Sequence, residues 1–405
     1  MKTTLASLRH HKTTALLIVL EVALASCLVV NALSVFWSKL GPMYWPTGVS
    51  DPSGLYLLRP EVAAMSAALS RGHAHAVDDL DALMHAGALA KVAEVNTLPL
   101  MQEQVGVNVR PSTSSQAALI ETAVFAGTAG FVDTLGFRVI AGRPFEPADT
   151  DNYALATGET LSHTVMVSSR LSQKVWPGQD AVGKTLVYGN NNEYRAQVIG
   201  VVDHAIKPVP GAAETSEDVI LELVRPFEGG VYAFRSAFPS AKGPLAQAAN
   251  ALESVAAGRV FSMRQTFADV HREFFEADRS LGYLLVFLIG ALMLVCWLGV
   301  GALTSFWIRQ RYRSIGIRRA LGATRRGIWW QFTAENLTVV TLGLVIGLPV
   351  AAATNGWLVT AYAIPPLNLV CLPVVAVAFY LSCLGAIAFT VARATVVSPM
   401  VAVRS

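Results

Sequence analysis

Residues 178–185, Gly178-Gln-Asp-Ala-Val-Gly183-Lys184-Thr185, satisfy the phosphate-loop pattern GxxxxGK[ST] letter for letter. Such a loop works when a strand precedes it and a helix follows, so that backbone N–H groups and a helix N-terminus converge on phosphate. Here a helical stretch and Trp176-Pro177 come first, and the strand-like Thr185-Leu-Val-Tyr188 comes after, so the segment reads as a turn. His73, His75 and His85 with Asp78, Asp79 and Asp81 gather metal-ligating atoms in a short window, yet their spacing matches no metal motif and suits the polar face of a solvated helix. His163, Ser168 and Asp203 contain the groups of a nucleophilic triad, without a nucleophile elbow or HExxH around them. Glu21 and Glu335 stand within, or at the mouth of, strongly apolar runs, where an ionised side chain is costly and is a functional candidate by default. No catalytic, cofactor-binding or metal-ligating residue is assigned, and an anchored external enzyme finds no support.

The elements that hold these residues follow from hydropathy. Of the 405 residues 53% are hydrophobic and 15% charged, and the mean hydropathy is +0.47, which points to a membrane protein. Four stretches are long and apolar enough to span a bilayer: Thr14–Phe36, Leu281–Ile308, Leu337–Tyr362 and Leu369–Val391. Between the first two lies a polar stretch, residues 37–280, with the turn residues of a folded domain. The expected fold is therefore a membrane α-helical protein with four transmembrane helices and a large α+β extracytoplasmic domain inserted between helices 1 and 2.

Charge orients it. Residues 37–280 hold 19 of the 31 Lys and Arg and 26 of the 28 Asp and Glu, a balance of −7, and the rest of the chain carries +10. Lys2, Arg9 and Lys12 precede the first span, Arg309 to Arg326 follow the second, and Arg393 and Arg404 follow the fourth. By the positive-inside rule these segments are cytoplasmic, both termini included, and 37–280 is periplasmic. The expected organisation is a cytoplasmic segment 1–13, span 14–36, periplasmic domain 37–280 with a helical stalk at 264–280, and span 281–308. A cytoplasmic loop 309–336, span 337–362, a short periplasmic loop 363–368, span 369–391 and a cytoplasmic tail 392–405 complete it. The basic balance has this topological cause and implies no nucleic-acid partner; lipid headgroups are the default neighbours. Cys27, Cys296, Cys371 and Cys383 all fall in or beside spans, so no disulfide framework holds the external domain.

Leu24-Ala25-Ser26-Cys27 looks like a lipoprotein-processing box, but hydrophobicity continues past Cys27 to Phe36 and Glu21 interrupts the apolar region, which favours an uncleaved helix. Trp37, Tyr44 and Trp45 suit an interfacial belt. In the external domain, strands are expected at Leu119–Phe125, Thr164–Ser168, Thr185–Tyr188, Tyr194–Val202, Val219–Leu223, Val231–Phe234 and Arg259–Ser262, with a hairpin at Gly189-Asn-Asn-Asn192. Helices are expected at Val62–Leu69, Val77–Leu89, Arg170–Trp176 and Pro244–Ala256. From Arg264 to Ser280 a charged helical pattern without Pro or Gly predicts a continuous strut running into the second span. Gly343-Leu-Val-Ile-Gly347 permits close helix packing, and Pro349 predicts a kink.

The most specific segment is Arg309–Gln331, RQRYRSIGIRRALGATRRGIWWQ, with seven arginines and no acid, followed by Phe332-Thr-Ala-Glu335. Ile315, Ile317, Ala320 and Leu321 recur at near-helical spacing, Gly322 allows a break, and Thr324 can cap a helix that enters the third span. Read physically, this is a basic helix with an apolar stripe, suited either to the membrane surface or to a groove on a cytoplasmic partner.

This run closely resembles the signature "EIGIRRALGA(T/S)RR.I..QF..E" of the MacB/FtsX permease family, with Ser314 in place of the usual acid. Phe131–Gly136 through Ala141-Gly-Arg-Pro-Phe145, the turn Trp176–Lys184 and the strand Val198–Val202 resemble the family's periplasmic core domain, which also explains the phosphate-loop look-alike. The resemblance implies an ABC transporter subunit in the bacterial inner membrane that works by mechanotransmission. Its coupling residues are Ile315, Gly316, Ile317, Arg318, Arg319, Ala320, Leu321, Gly322 and Ala323. Its implied partners are a cytoplasmic ABC ATPase dimer, a second permease copy, and a periplasmic adaptor with an outer-membrane channel. ATP would be bound by the partner, so the chain itself needs no cofactor; with only 13 residues ahead of the first span, the ATPase is expected on another chain. Efflux is the implied activity, with lipoprotein release and FtsX-like control of cell-wall hydrolases as alternatives built on the same plan.

Overall fold

The computed structural model describes residues 12–61, 65–87, 89–101, 106–111, 119–152, 163–189, 194–210, 215–227, 229–236, 243–310, 324–362 and 366–395. Two compact units result, Tyr44–Ala277 and the remainder, Met1–Met43 with Asp278–Ser405.

The chain opens with α1 (Lys12–Leu40), which runs through Cys27 without interruption. The external unit then follows. Its first half comprises β1 (Leu55–Pro60), α2 (Met65–Met84), β2 (Leu89–Val95), β3 (Gly106–Pro111), β4 (Ile120–Gly127), α3 (Phe131–Leu135) and β5 (Val139–Gly142). Its second half comprises β6 (His163–Ser168), α4 (Ser169–Val175), β7 (Thr185–Tyr188), β8 (Tyr194–Val202), β9 (Val219–Leu223), β10 (Val231–Ser236), α5 (Pro244–Val255), β11 (Phe261–Thr266) and α6 (Phe267–Phe274). The chain returns to apolar helices with α7 (Glu276–Gln310), α8 (Arg325–Tyr362) and α9 (Cys371–Thr395). Four helices among the described residues are long and apolar enough to cross a membrane, with the α/β unit between the first and second.

The eleven strands form one mixed sheet whose path runs β11-β1-β10-β2-β4-β3-β7-β8-β6-β9, with β5 added to β8. β4 uses both edges. Ile120–Ala123 pairs antiparallel with β3, and Ala123–Gly127 pairs parallel with β9, so β4-β3-β7-β8-β6-β9 close into a six-stranded ring. Strand alternation then gives each ring strand an inner and an outer face. Val109, Val165, Leu186, Tyr188, Ala196, Val198 and Ile220 meet in one cluster inside. Ala123, Phe125, Met166, Val219 and Leu221 face outward into a second core, shared with β1, β2, β10, α3 and α6. β1 lies between β10 and β11, with Tyr56 opposite both Phe234 and Thr266.

Six of the seven expected strands recur at or near the expected bounds, with β7, β8 and β9 matching residue for residue, and the seventh, expected at Arg259–Ser262, is shifted to Phe261–Thr266. β1 and β2 are unforeseen strands. β1 buries Leu55, Tyr56, Leu57 and Leu58 in succession, so it lacks alternation and ends on a proline, and no period-2 signal marks it. β3, with Gly106 and Pro111 at its ends, and the short β5 were equally silent. The two expected helices at Val62–Leu69 and Val77–Leu89 are one, α2, and Leu89 belongs to β2.

The expected continuous strut over Arg264–Ser280 is corrected. Arg264–Thr266 complete β11 against β1, and Thr266 caps α6 in a capping box: its hydroxyl accepts from Asp269 N at 3.2 Å, and Asp269 Oδ2 accepts from Thr266 N at 3.2 Å. The T-x-x-D spacing was in the sequence, but the helical charge pattern downstream masked it. α6 buries Phe267 and Val270 in the outer core, then stops at Phe275, whose backbone leaves helical geometry (φ −94, ψ 8) while its ring packs tilted against His271 and edge-on to Phe274, with centroids 5.0 and 4.9 Å apart. Aromatic packing, not proline or glycine, makes the break.

Candidate functional site

In the membrane unit, α1 and α8 form the closest seam. A Cβ on Gly343 would come within 2.7 Å of Val22 Cβ, and one on Gly347 within 2.6 Å of the Ala23 carbonyl oxygen and into the Ser26 hydroxyl. Both glycines of the GxxxG motif are thus spent on backbone approach. Pro349 sits inside α8, which continues to Tyr362. Beyond it, Asn31 Nδ2 donates to Cys27 O at 2.9 Å and lies 3.4 Å from Ala351 O, and Asn355 Nδ2 lies 3.4 Å from Asn31 Oδ1. Between α7 and α8, the buried Thr304 hydroxyl donates to Val300 O at 2.7 Å and is 3.1 Å from Asn336 Oδ1. These amide and hydroxyl pairs went unremarked in the sequence, although isolated polar residues in apolar spans are the signal that marks them.

The two intramembrane carboxylates separate. Glu335 is buried, 3% exposed, beside Asn336 at the end of the third turn of α8. Glu21 is partly buried and faces Gly299 of α7, where a Cβ would overlap both carboxylate oxygens. Gly299 was not picked out from the sequence, because several glycines in that span look alike there.

Of the arginine-rich segment, Arg311–Ala323 lies outside the described residues, and with it Ile315, Gly316, Ile317, Arg318, Arg319, Ala320, Leu321, Gly322 and Ala323. Its borders are described: α7 extends to Gln310, and Thr324 Oγ1 accepts from Gly327 N at 3.2 Å at the start of α8. The expected cap is in place, and the expected loop 309–336 contains the first turns of α8.

The external candidates resolve into structure. In the phosphate-loop look-alike, α4 precedes and β7 follows. Gly178 and Gly183 take positive φ (68 and 83), Gly183 N donates to Val198 O at 2.7 Å, and Lys184 bonds Gln179 and sits 5.7 Å over the Trp176 ring. The N–H that would cradle phosphate is committed to the sheet. Ser168 caps α4, accepting from Leu171 N at 3.2 Å and donating to Glu217 O, while Asp203 pairs with Arg138. Ser168 is fully buried, so the three triad candidates are not a nucleophilic site; the side chain of His163 is outside the described residues. Asp79 is buried and accepts from Tyr232 Oη at 2.9 Å and from Arg259, while Asp81 engages His85 within α2, so these carboxylates serve different partners. Sequence reasoning also missed Glu222, which lies wholly inside the ring. Burial pushes its carboxyl up to about 7, against a hydrogen bond from Tyr188 that favours the anion.

Residues 46–240 match the MacB-like periplasmic core domain, and residues 286–396 match the FtsX-like permease C-terminal domain, together about three quarters of the chain. The chain belongs to the MacB/FtsX-type ABC permeases. The Pyoverdine export ATP-binding/permease protein PvdT of Pseudomonas entomophila is 26% identical over 298 residues, 70% of this chain and 41% of its own length. The Macrolide export ATP-binding/permease protein MacB of Bdellovibrio bacteriovorus is 30% identical over 89 residues, 22% of this chain and 13% of its own. The chain therefore spans less than half the length of these relatives. The periplasmic region of MacB from Actinobacillus actinomycetemcomitans aligns with 56% of this chain and 94% of its own, at 11% identity and a TM-score of 0.37. As a MacB/FtsX-type permease, the protein is a multi-pass membrane protein with one periplasmic-type domain. The look-alike phosphate loop falls inside the matched core domain, where it serves as a turn ahead of the β7–β8 hairpin.

Proposed function

We propose that this permease is the membrane subunit of an exporter, in which ATP hydrolysis by a cytoplasmic ABC ATPase moves the 309–336 segment and that motion is passed to the periplasmic domain. The observation that carries the proposal is that the arginine-rich run lies inside the second of the two matched domains. Ile315–Ala323 falls within the matched permease C-terminal domain, residues 286–396, which follows the matched periplasmic core domain, residues 46–240, and the relatives bear the names of pyoverdine and macrolide exporters. In this reading both termini and the arginine run are cytoplasmic, the ATPase grips Ile315–Ala323, and two permease copies serve the two sites of an ATPase dimer. An adaptor and an outer-membrane channel receive the exported molecule. The capped start of α8 supports it: a helix pinned at Thr324 and continuous to Tyr362 carries displacement at its cytoplasmic end without absorbing it in a loop.

The test is co-purification of the chain with the ABC ATPases of its host, comparing the natural sequence with Arg318→Glu/Arg319→Glu. Charge reversal at two contact arginines is expected to reduce recovery of the ATPase about tenfold or more, since breaking charged contacts costs a few kcal/mol. Undiminished recovery would sink the docking assignment, and reporter fusions placing residues 311–323 outside the cell would sink the topology with it.

A further inference from the structure

Glu21 lies in a groove of about 400 Å³ between α1 and α7, lined by Leu17, Ile18, Gly299, Ala302, Leu303 and Phe306. Glu21 is the single charged group of the lining, and no basic side chain among the described residues pairs with it. The groove faces outward from the helices, with Leu17 64% and Phe306 46% exposed. Depth can be read from both walls. Glu21 is nine residues beyond Lys12, and Gly299 is ten before Arg309, so each helix puts the carboxylate about 14–15 Å from its basic flank. That is close to half of a hydrocarbon core about 30 Å thick.

A carboxylate at that depth costs free energy unless something neutralises it. The other membrane carboxylate, Glu335, is buried at 3% exposure among neighbouring helices. Glu21 is instead only partly buried and lines the groove, and Gly299 leaves the space its oxygens occupy, because any side chain there would displace them. An apolar trough with one fixed negative charge, reached sideways from the lipid, fits one class of occupant by charge complementarity: a molecule with an apolar body and a single cationic group. We propose that the α1–α7 groove binds amphipathic organic cations from the bilayer, the cation pairing with Glu21 and the apolar body lying against Leu17, Leu303 and Phe306. The inference rests on the groove alone and does not need the coupling proposal, whose failure would show in ATPase recovery instead.

The probe is rhodamine 6G, a hydrophobic monocation, titrated by fluorescence anisotropy into lipid nanodiscs holding the full chain, with empty nanodiscs as blank and uncharged Nile red as the comparison dye. Saturable binding of rhodamine 6G is expected, weakened about tenfold in Glu21→Gln, as befits loss of one charged contact. It should be weakened in Gly299→Ala, where the carboxylate must shift, and retained in Glu21→Asp. Nile red binding should be the same in all four proteins. Because Glu21→Gln is isosteric, a folding defect would show as altered Nile red binding in that variant, and Glu21→Asp against Gly299→Ala would then carry the decision. Equal rhodamine 6G affinity in the natural protein and Glu21→Gln would overturn the proposal. So would equal displacement by Nile red, which would mean a groove for lipid chains, or efficient Leu17→Cys cross-linking between two copies, which would mean an interface.

Discussion

The external unit and the membrane unit solve cohesion in opposite ways. The external unit buries its largest side chains, with Phe125, Phe131, Phe234 and Phe267 all fully covered, and gains stability because water is excluded from them. Lipid gives the membrane unit no such gain, since hydrocarbon chains solvate an apolar helix as well as another helix does. Its closest seam is made from what is absent: Gly343 and Gly347 bring backbones together, and Asn31 with Asn355 adds a polar contact. Large side chains dominate the external core, whereas the tightest helix seam of the membrane unit depends on small ones.

The sharpest way to break that contrast is a matched pair of truncations. Phe125 and Phe379 are both fully buried, one in each unit. Phe125→Ala should cost about 3–5 kcal/mol, the transfer loss plus the cavity. Phe379→Ala should cost clearly less, because its ring would otherwise lie in lipid rather than water, which leaves mainly the cavity and lost packing. Thermal unfolding of the detergent-solubilised chain, followed by proteolysis sites specific to each unit, measures both; equal losses would erase the distinction. Next comes Glu222, the polar exception inside the ring. Folding holds its proton up to about pH 7, whereas the unfolded chain releases it above about 4.5. The native state therefore binds the extra proton, stability is highest below the lower value, and it falls as pH rises toward 7, by about 3 kcal/mol in all. Amide exchange of β4 and β9 between pH 5 and 8, corrected for intrinsic rates, should show this slope, and Glu222→Gln should flatten it. The smallest expected change is Gly347→Leu, where overpacking should loosen the α1–α8 seam by about 1–3 kcal/mol. A fall in cysteine cross-linking between positions 30 and 351 would report it, and unchanged cross-linking would show that the seam does not depend on glycine.

Legibility in the sequence followed the same divide. Spans were plain because a run of about 20 apolar residues has one cheap solution in lipid. β8 and β9 were plain because each is a bounded β-branched run. β1 was hidden because burial on both faces erases alternation, and the break at Phe275 because side-chain packing, not a helix breaker, sets it. The arginine run and its Thr324 cap were readable from residue types alone. The Glu21–Gly299 contact was not: which glycine faces which side chain depends on the rotation of two helices about their axes, and no one-dimensional pattern encodes that.

The placement of β1 between β10 and β11 has a mechanical consequence. The first and last parts of the external domain run side by side, with Tyr56 opposite Thr266, about 5 Å apart by ordinary strand spacing. The strands nearest its two chain ends therefore lie side by side, and a tug on either is shared at once through a ladder of hydrogen bonds. Such a domain can be lifted as a whole by its stem, where one whose ends left from opposite poles would be stretched.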